Sequence, residues 1–269
     1  MSPFLRDFIS SLTRGTYTVY LFTETDTIVP FLCPALAMGM VLAGPPDVLA
    51  YDAFIAFRLT ASNPISLQTK NQLLGLQEDR LSKPHRPLPA GRITPEATRI
   101  LHFAFVAASF ALSAYRGLLP CSALYFAATY AYNEGGLATI GVLKSALSAV
   151  GYVCYGWGMT VCFDHGRPLS PLARSALTMT GAVFATTGYA QDFRDRAGDA
   201  AVGRKTIPLV LSHGLARWLL GVSLFGWTAA LVYFWEPPAA FSFLLGGLAS
   251  ASTVLFVRGC TEAADARAY

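Results

Sequence analysis

Leu219-Leu-Gly-Val-Ser-Leu-Phe-Gly-Trp-Thr-Ala-Ala-Leu-Val-Tyr-Phe234 contains no charged side chain and is apolar on almost every side of a helical wheel. Leu101 to Tyr115 reads the same way. A membrane β-strand would alternate apolar and polar residues over segments of about ten, whereas a helix surrounded by lipid is apolar nearly all round. The expected fold class is therefore all-α, a multi-span transmembrane helical bundle. A bilayer core about 30 Å thick takes about 20 mostly apolar residues per span. Working outward from these two stretches finds eight such runs, at residues 27 to 44, 51 to 78, 96 to 116, 119 to 134, 137 to 163, 171 to 192, 212 to 235 and 238 to 257.

Composition points the same way. Of 269 residues, 54% are hydrophobic and 13% charged, the latter about half the roughly 25% usual in soluble domains. Arg6, Asp7, Arg14, Glu24 and Asp26 interrupt the first 26 residues, so a cleavable signal peptide is not expected and the spans themselves direct insertion. Of the 20 Lys and Arg residues, two precede the first run, six surround the loop after the second, five surround the loop after the sixth, and two follow the eighth. By the positive-inside rule, both termini and both charged loops face the cytosol; the endoplasmic reticulum is the expected membrane. Residues 1 to 269 read as one transmembrane domain with the lipid bilayer as its solvent. The net charge of +4 is explained by topology, so neither a nucleic acid nor an obligate protein partner is expected. Cys33, Cys121, Cys154, Cys162 and Cys260 form no CxxC pair, and four of them lie in apolar runs. They read as small buried residues.

The first chemical motif runs from residue 71 to 92: Asn71-Gln-Leu-Leu-Gly75-Leu-Gln-Glu78-Asp79-Arg80-Leu-Ser-Lys83-Pro-His85-Arg86-Pro-Leu-Pro-Ala-Gly91-Arg92. On a continuous helix Asn71 and Glu78 are nearly eclipsed, and Asp79 stands about 80° from them. One face then offers three oxygen ligands, which suits a magnesium–diphosphate, since Mg²⁺ prefers one or two carboxylates completed by phosphate and water oxygens. Lys83, Arg86 and Arg92 follow on a loop stiffened by Pro84, Pro87 and Pro89 and are placed to neutralise phosphate. The competing reading is a solvated helix end with an ordinary basic loop.

The second motif runs from residue 192 to 208: Asp192-Phe-Arg194-Asp195-Arg196-Ala-Gly198-Asp199-Ala-Ala-Val-Gly203-Arg204-Lys205-Thr206-Ile-Pro208. Asp192, Asp195 and Asp199 at i, i+3, i+7 are expected to stack along one helical stripe, where their repulsion calls for a cation. Acids at the end of an apolar span are functional candidates. The competing reading is a salt-bridge cluster with Arg194, Arg196 and Arg204.

With both motifs at one membrane face, the chain resembles the UbiA superfamily of membrane prenyltransferases and terpene cyclases, over about residues 20 to 235. The resemblance implies Mg²⁺ as cofactor, an isoprenyl diphosphate as substrate, and Asn71, Asp79, Asp192, Asp195 and Asp199 at metal-site positions. It also implies that Lys83, Arg86, Arg204 and Lys205 meet the diphosphate. The family's pattern has acids where this chain has Gly75 and Gln72, and Glu78 is the expected substitute ligand. The family usually has nine spans, against eight here. The Asn-Gln start, the Glu-Asp pair and the Lys-Pro-His-Arg-Pro run look most like a fungal branch with membrane-bound sesquiterpene cyclases.

Other residues carry weaker signals. Lys144, inside the fifth run, is costly in hydrocarbon and is expected either to reach a diphosphate or a carboxylate or to snorkel. Among the many aromatics, Tyr130, Tyr155 and Tyr189 are candidates to line a cavity for a carbocation, against ordinary packing. Three functions stay open. Ionisation of a diphosphate in a dry cavity leads to a cyclic terpene, farnesyl diphosphate being the expected substrate from the motif resemblance. An acceptor in the cavity leads instead to prenyl transfer. A non-catalytic isoprenoid-lipid binder or transporter is the third reading.

Overall fold

The computed structural model describes residues 3–22, 65–259 and 261–268. The expected run at 27 to 44 and the part of 51 to 78 before residue 65 lie outside these residues, as do Cys33 and Cys260. Among the described residues regular structure is helical, with one isolated parallel bridge pairing Ile140 and Lys205. Of the described helices, four are long and apolar enough to cross a membrane: Pro95–Arg116, Gly141–Phe163, His213–Trp235 and Ala239–Arg258. A 22-residue helix rises about 33 Å, enough for a hydrocarbon core. The all-α membrane class read from the sequence is what the structure has, and the chain is an integral membrane protein.

Local signals set the ends of these helices. Thr94 caps Pro95–Arg116 by accepting from the Ala97 amide at 3.2 Å, with Pro95 in the first turn, where its missing N–H costs nothing. Ser212 caps His213–Trp235 through the Leu215 amide, and Glu236 with φ 43° ends that helix ahead of Pro237 and Pro238. The run at 119 to 134 is the helix Leu119–Asn133, while the run at 171 to 192 comes out shorter, as Pro171–Thr187. The run at 137 to 163 begins with a tight turn, Leu137–Thr139, before its helix starts at Gly141. Side chains such as Phe103, Val222, Tyr233, Phe243 and Leu248 are exposed on the long helices. In water these faces would form large apolar patches, whereas in a bilayer they face their proper solvent.

The chain packs as two compact units, residues 1–129 with 152–177 and residues 130–151 with 178–269. In the first, the Tyr125 and Tyr155 hydroxyls hydrogen-bond at 2.9 Å, and the Cys121 thiol donates to the Cys154 carbonyl at 3.4 Å. Cys121, Cys154 and Cys162 are buried, as expected, and form no disulfide among the described residues. In the second, Tyr189, Phe193, Ala216, Leu220 and Phe256 form an apolar core. There helices His213–Trp235 and Ala239–Arg258 pack so closely that a Cβ on Gly221 would stand 2.6 Å from the Thr253 methyl.

Candidate functional site

Motif one lies in the first unit. Residues 65–74 are helical, a bend follows at Gly75, and Leu76–Ser82 resumes the helix. The Gly75 amide donates to the Asn71 carbonyl at 2.8 Å, and the Asp79 amide to the Gly75 carbonyl at 2.8 Å. The bend therefore interrupts the helix without losing its hydrogen-bond thread. Asn71 keeps its side-chain oxygen buried and without a hydrogen-bond partner. Asp79 is buried and takes both contacts of the Arg86 guanidinium at 3.0 and 3.1 Å. Gln72, where the family's pattern has an acid, accepts from the Leu88 amide at 3.2 Å and so ties the proline-rich loop to the helix. Lys83 is half-buried, and Arg92 stands over the Tyr17 ring at 5.7 Å. The Glu78 side chain lies outside the described residues.

Motif two lies in the second unit and departs from the expected continuous stripe. The apolar helix ends at Thr187, a tight 3-10 segment covers Gly188–Phe193, and a new helix covers Arg196–Ala201. This break between Asp192 and Asp199 separates the three carboxylates. Asp192 and Asp199 are wholly buried, while Asp195 is more exposed and turns to Arg194 at 3.7 Å. Among the described residues no group of three or more His, Cys, Asp or Glu gathers with metal-binding geometry. What the two buried acids share is Lys144, whose ammonium donates to Asp192 Oδ1 at 2.6 Å and to Asp199 Oδ2 at 3.3 Å.

The backbone explains how Lys144 reaches them. The Lys205 amide donates to the Thr139 carbonyl at 2.7 Å, and the Gly141 amide donates to the Lys205 carbonyl at 2.9 Å. Gly141 permits this approach, because a Cβ there would meet the Ile207 nitrogen at 2.7 Å and Thr206 Cα at 2.9 Å. The first turn of Gly141–Phe163 is thereby fastened beside motif two, with Lys144 pointing at its acids. Gly203, at φ 71°, makes the left-handed turn after Arg196–Ala201. Arg204 then folds back to give Asp199 Oδ1 a hydrogen bond at 2.8 Å. Burial pushes the Asp192 carboxyl up to about 6, against the opposing pull of Lys144. Asp192 Oδ2 is nevertheless left buried with no hydrogen-bond partner.

Sequence reasoning missed a second polar cluster behind this motif. Arg217, buried within an apolar helix, donates to Asp265 Oδ1 and Oδ2 at 2.7 Å each and to the Phe256 carbonyl. Its guanidinium also lies 4.4 Å from the centre of the Phe193 ring. Arg196 approaches the same Asp265 at 3.6 Å. On the short helix Glu262–Ala268, Glu262 accepts from the Ala197 amide at 2.6 Å. The available signal was an arginine inside an apolar run, which needs a partner; counting it toward topology concealed that need.

The aromatic candidates have separate surroundings. Tyr155 is held by Tyr125, Tyr189 donates to the Ala216 carbonyl at 3.1 Å within the apolar core, and Tyr130 is mostly exposed.

Asn71 and Asp192 each keep a buried oxygen without a partner, and Asp79 and Asp199 add carboxylates. In each unit taken by itself, oxygen donors of this kind suit a hard divalent cation such as Mg²⁺.

Residues 31–269 match the UbiA prenyltransferase family. The chain is 44% identical over 223 residues to the fumagillin β-trans-bergamotene synthase of Aspergillus fumigatus, covering 82% of this chain and 76% of that protein. It is 29% identical over 255 residues to the somaliensene A/B synthase of Streptomyces somaliensis, covering 87% and 81%. Among solved structures, a UbiA homologue from Archaeoglobus fulgidus bound to GPP and Mg²⁺ shares the fold, with a TM-score of 0.68 at 18% identity over 91% of this chain and 85% of that one.

Proposed function

Because the chain belongs to the UbiA prenyltransferase family, we propose that it is a membrane-bound terpene cyclase that ionises an isoprenyl diphosphate and closes the freed chain on itself, releasing pyrophosphate. The observation that carries this reading is the 44% identity to a bergamotene synthase across 82% of the chain. Farnesyl diphosphate is the proposed substrate, supported by the form of motif one. In this reading Asn71, Glu78, Asp79, Asp192, Asp195 and Asp199 hold Mg²⁺, and Lys83, Arg86, Lys144, Arg204 and Lys205 receive the diphosphate. The charge asymmetry of the loops supports an active site facing the cytosol, and the endoplasmic reticulum is the proposed membrane.

When bound, Mg²⁺ draws charge onto the leaving diphosphate and so weakens the allylic C–O bond. The rest is work for the chain's own side chains. Lys144 and Arg204 hold the motif-two acids, as Arg86 holds Asp79. Transfer of these cations from carboxylate to phosphate oxygens would stabilise the departing charge. The remaining allylic cation is attacked by a distal double bond of the same chain if water and acceptor are excluded, and loss of a proton gives the hydrocarbon.

The test is purified protein in nanodiscs with Mg²⁺ and farnesyl diphosphate and no second substrate. Pyrophosphate and a cyclic hydrocarbon in an organic overlay are expected. Farnesol alone, or no turnover until an aromatic acceptor is added, would move the reading to prenyl transfer. Binding without pyrophosphate release would leave only the lipid-binder reading.

A further inference from the structure

We infer that the helix Glu262–Ala268 is a positioning clamp that holds the two halves of motif two, and with them the buried carboxylates of Asp192 and Asp199, in register. The inference rests on the proposed metal role of those acids.

The break in motif two creates the need for such a clamp. Asp192 ends on a six-residue 3-10 segment, and Asp199 sits on a separate six-residue helix. Neither piece is long enough to be stable by itself. Asp195, at the start of the second piece, forms no side-chain cap, so the amides of that first turn need an acceptor from elsewhere. Glu262 supplies it, accepting from the Ala197 amide at 2.6 Å. This contact fixes the Asp199 half.

One turn along the same helix, Asp265 fixes the other half through Arg217. The bidentate pair, at 2.7 Å on both sides, locks the guanidinium. The guanidinium in turn lies against Phe193, the neighbour of Asp192 and itself wholly buried. Both fastenings thus start from residues three apart on one helix and end beside the two carboxylates. The roles are positioning roles: Glu262, Asp265 and Arg217 act through the backbone and through Phe193.

The decisive variant is Glu262→Ala, which removes one partly exposed acceptor and no buried charge. In the detergent-purified full chain, hydrogen exchange at the 196–199 amides should speed up, with the rest of the chain and the melting temperature unchanged. Mn²⁺ binding in the presence of inorganic pyrophosphate, followed by electron paramagnetic resonance, should weaken by about tenfold, the lower end of the range for groups that orient metal ligands. Glu262→Gln keeps an acceptor oxygen and should restore both. Parent-like exchange in Glu262→Ala, or failure of Glu262→Gln to rescue, would overturn the clamp. If the parent itself neither binds Mn²⁺ nor releases pyrophosphate, the metal reading fails, while the exchange comparison still decides the clamp.

Discussion

Asp192 and Asp195 stand three residues apart and live in different electrostatic worlds. Asp192 is wholly buried against Lys144, whereas Asp195 is partly exposed and faces Arg194 at 3.7 Å. Both are proposed metal ligands, so Asp192→Ala and Asp195→Ala should each nearly abolish pyrophosphate release. They should differ in melting temperature. Removing Asp192 deprives a buried ammonium of its nearer partner, a loss of about 2 kcal/mol, whereas removing Asp195 breaks only a long, partly solvated contact and should leave the melting temperature within error. Full activity of either variant at saturating Mg²⁺ would remove that residue from the site. Lys144 itself was legible in the sequence as an ion costly in hydrocarbon that either reaches a phosphate or a carboxylate or snorkels to the interface. Its choice of two carboxylates was not legible, since it depends on a loop contact between residues 139–141 and 205 that no local pattern announces.

At the level of helices, the runs read as 96 to 116, 212 to 235 and 238 to 257 correspond to Pro95–Arg116, His213–Trp235 and Ala239–Arg258. Long uncharged stretches bounded by caps, Gly and Pro have few alternatives in a bilayer. The reading fails at residues 188 to 201, where i, i+3, i+7 spacing suggested one helix. Phe193 and Asp192 are both fully buried, and satisfying both takes a tight turn whose cause is tertiary packing. Gly141 gives the test for this level. A methyl group there would meet backbone atoms of Lys205, Thr206 and Ile207 at 2.7 to 3.0 Å, and backbone does not yield cheaply. Gly141→Ala should cost about 1–3 kcal/mol and loosen the loop that brings Lys144 to motif two. Protease nicking near residues 136 to 141 at lower denaturant than in the parent is the expected sign; an unchanged nicking profile would show that the approach tolerates a side chain.

For the molecule as a whole, the buried acids of each motif are balanced by cations of the same unit. Asp192 and Asp199 are met by Lys144 and Arg204, and in the first unit Asp79 is met by Arg86. Structural metal sites behave otherwise, since their ligands repel one another until the ion arrives and chelation unfolds them. Here exhaustive treatment with a chelator should stop pyrophosphate release and leave the melting temperature of the solubilised protein within about a degree of the parent's. A drop comparable to that of a zinc-dependent fold would mean that the ion pairs do not substitute for the metal.

Lys144 has a consequence for the birth of the protein as well as for its chemistry. A nascent chain entering a bilayer carries its acids past lipid before any substrate is present, and naked carboxylates at that depth would resist burial. An ammonium paired with Asp192 and Asp199 lowers that resistance and lets the span pack against motif two as the chain matures.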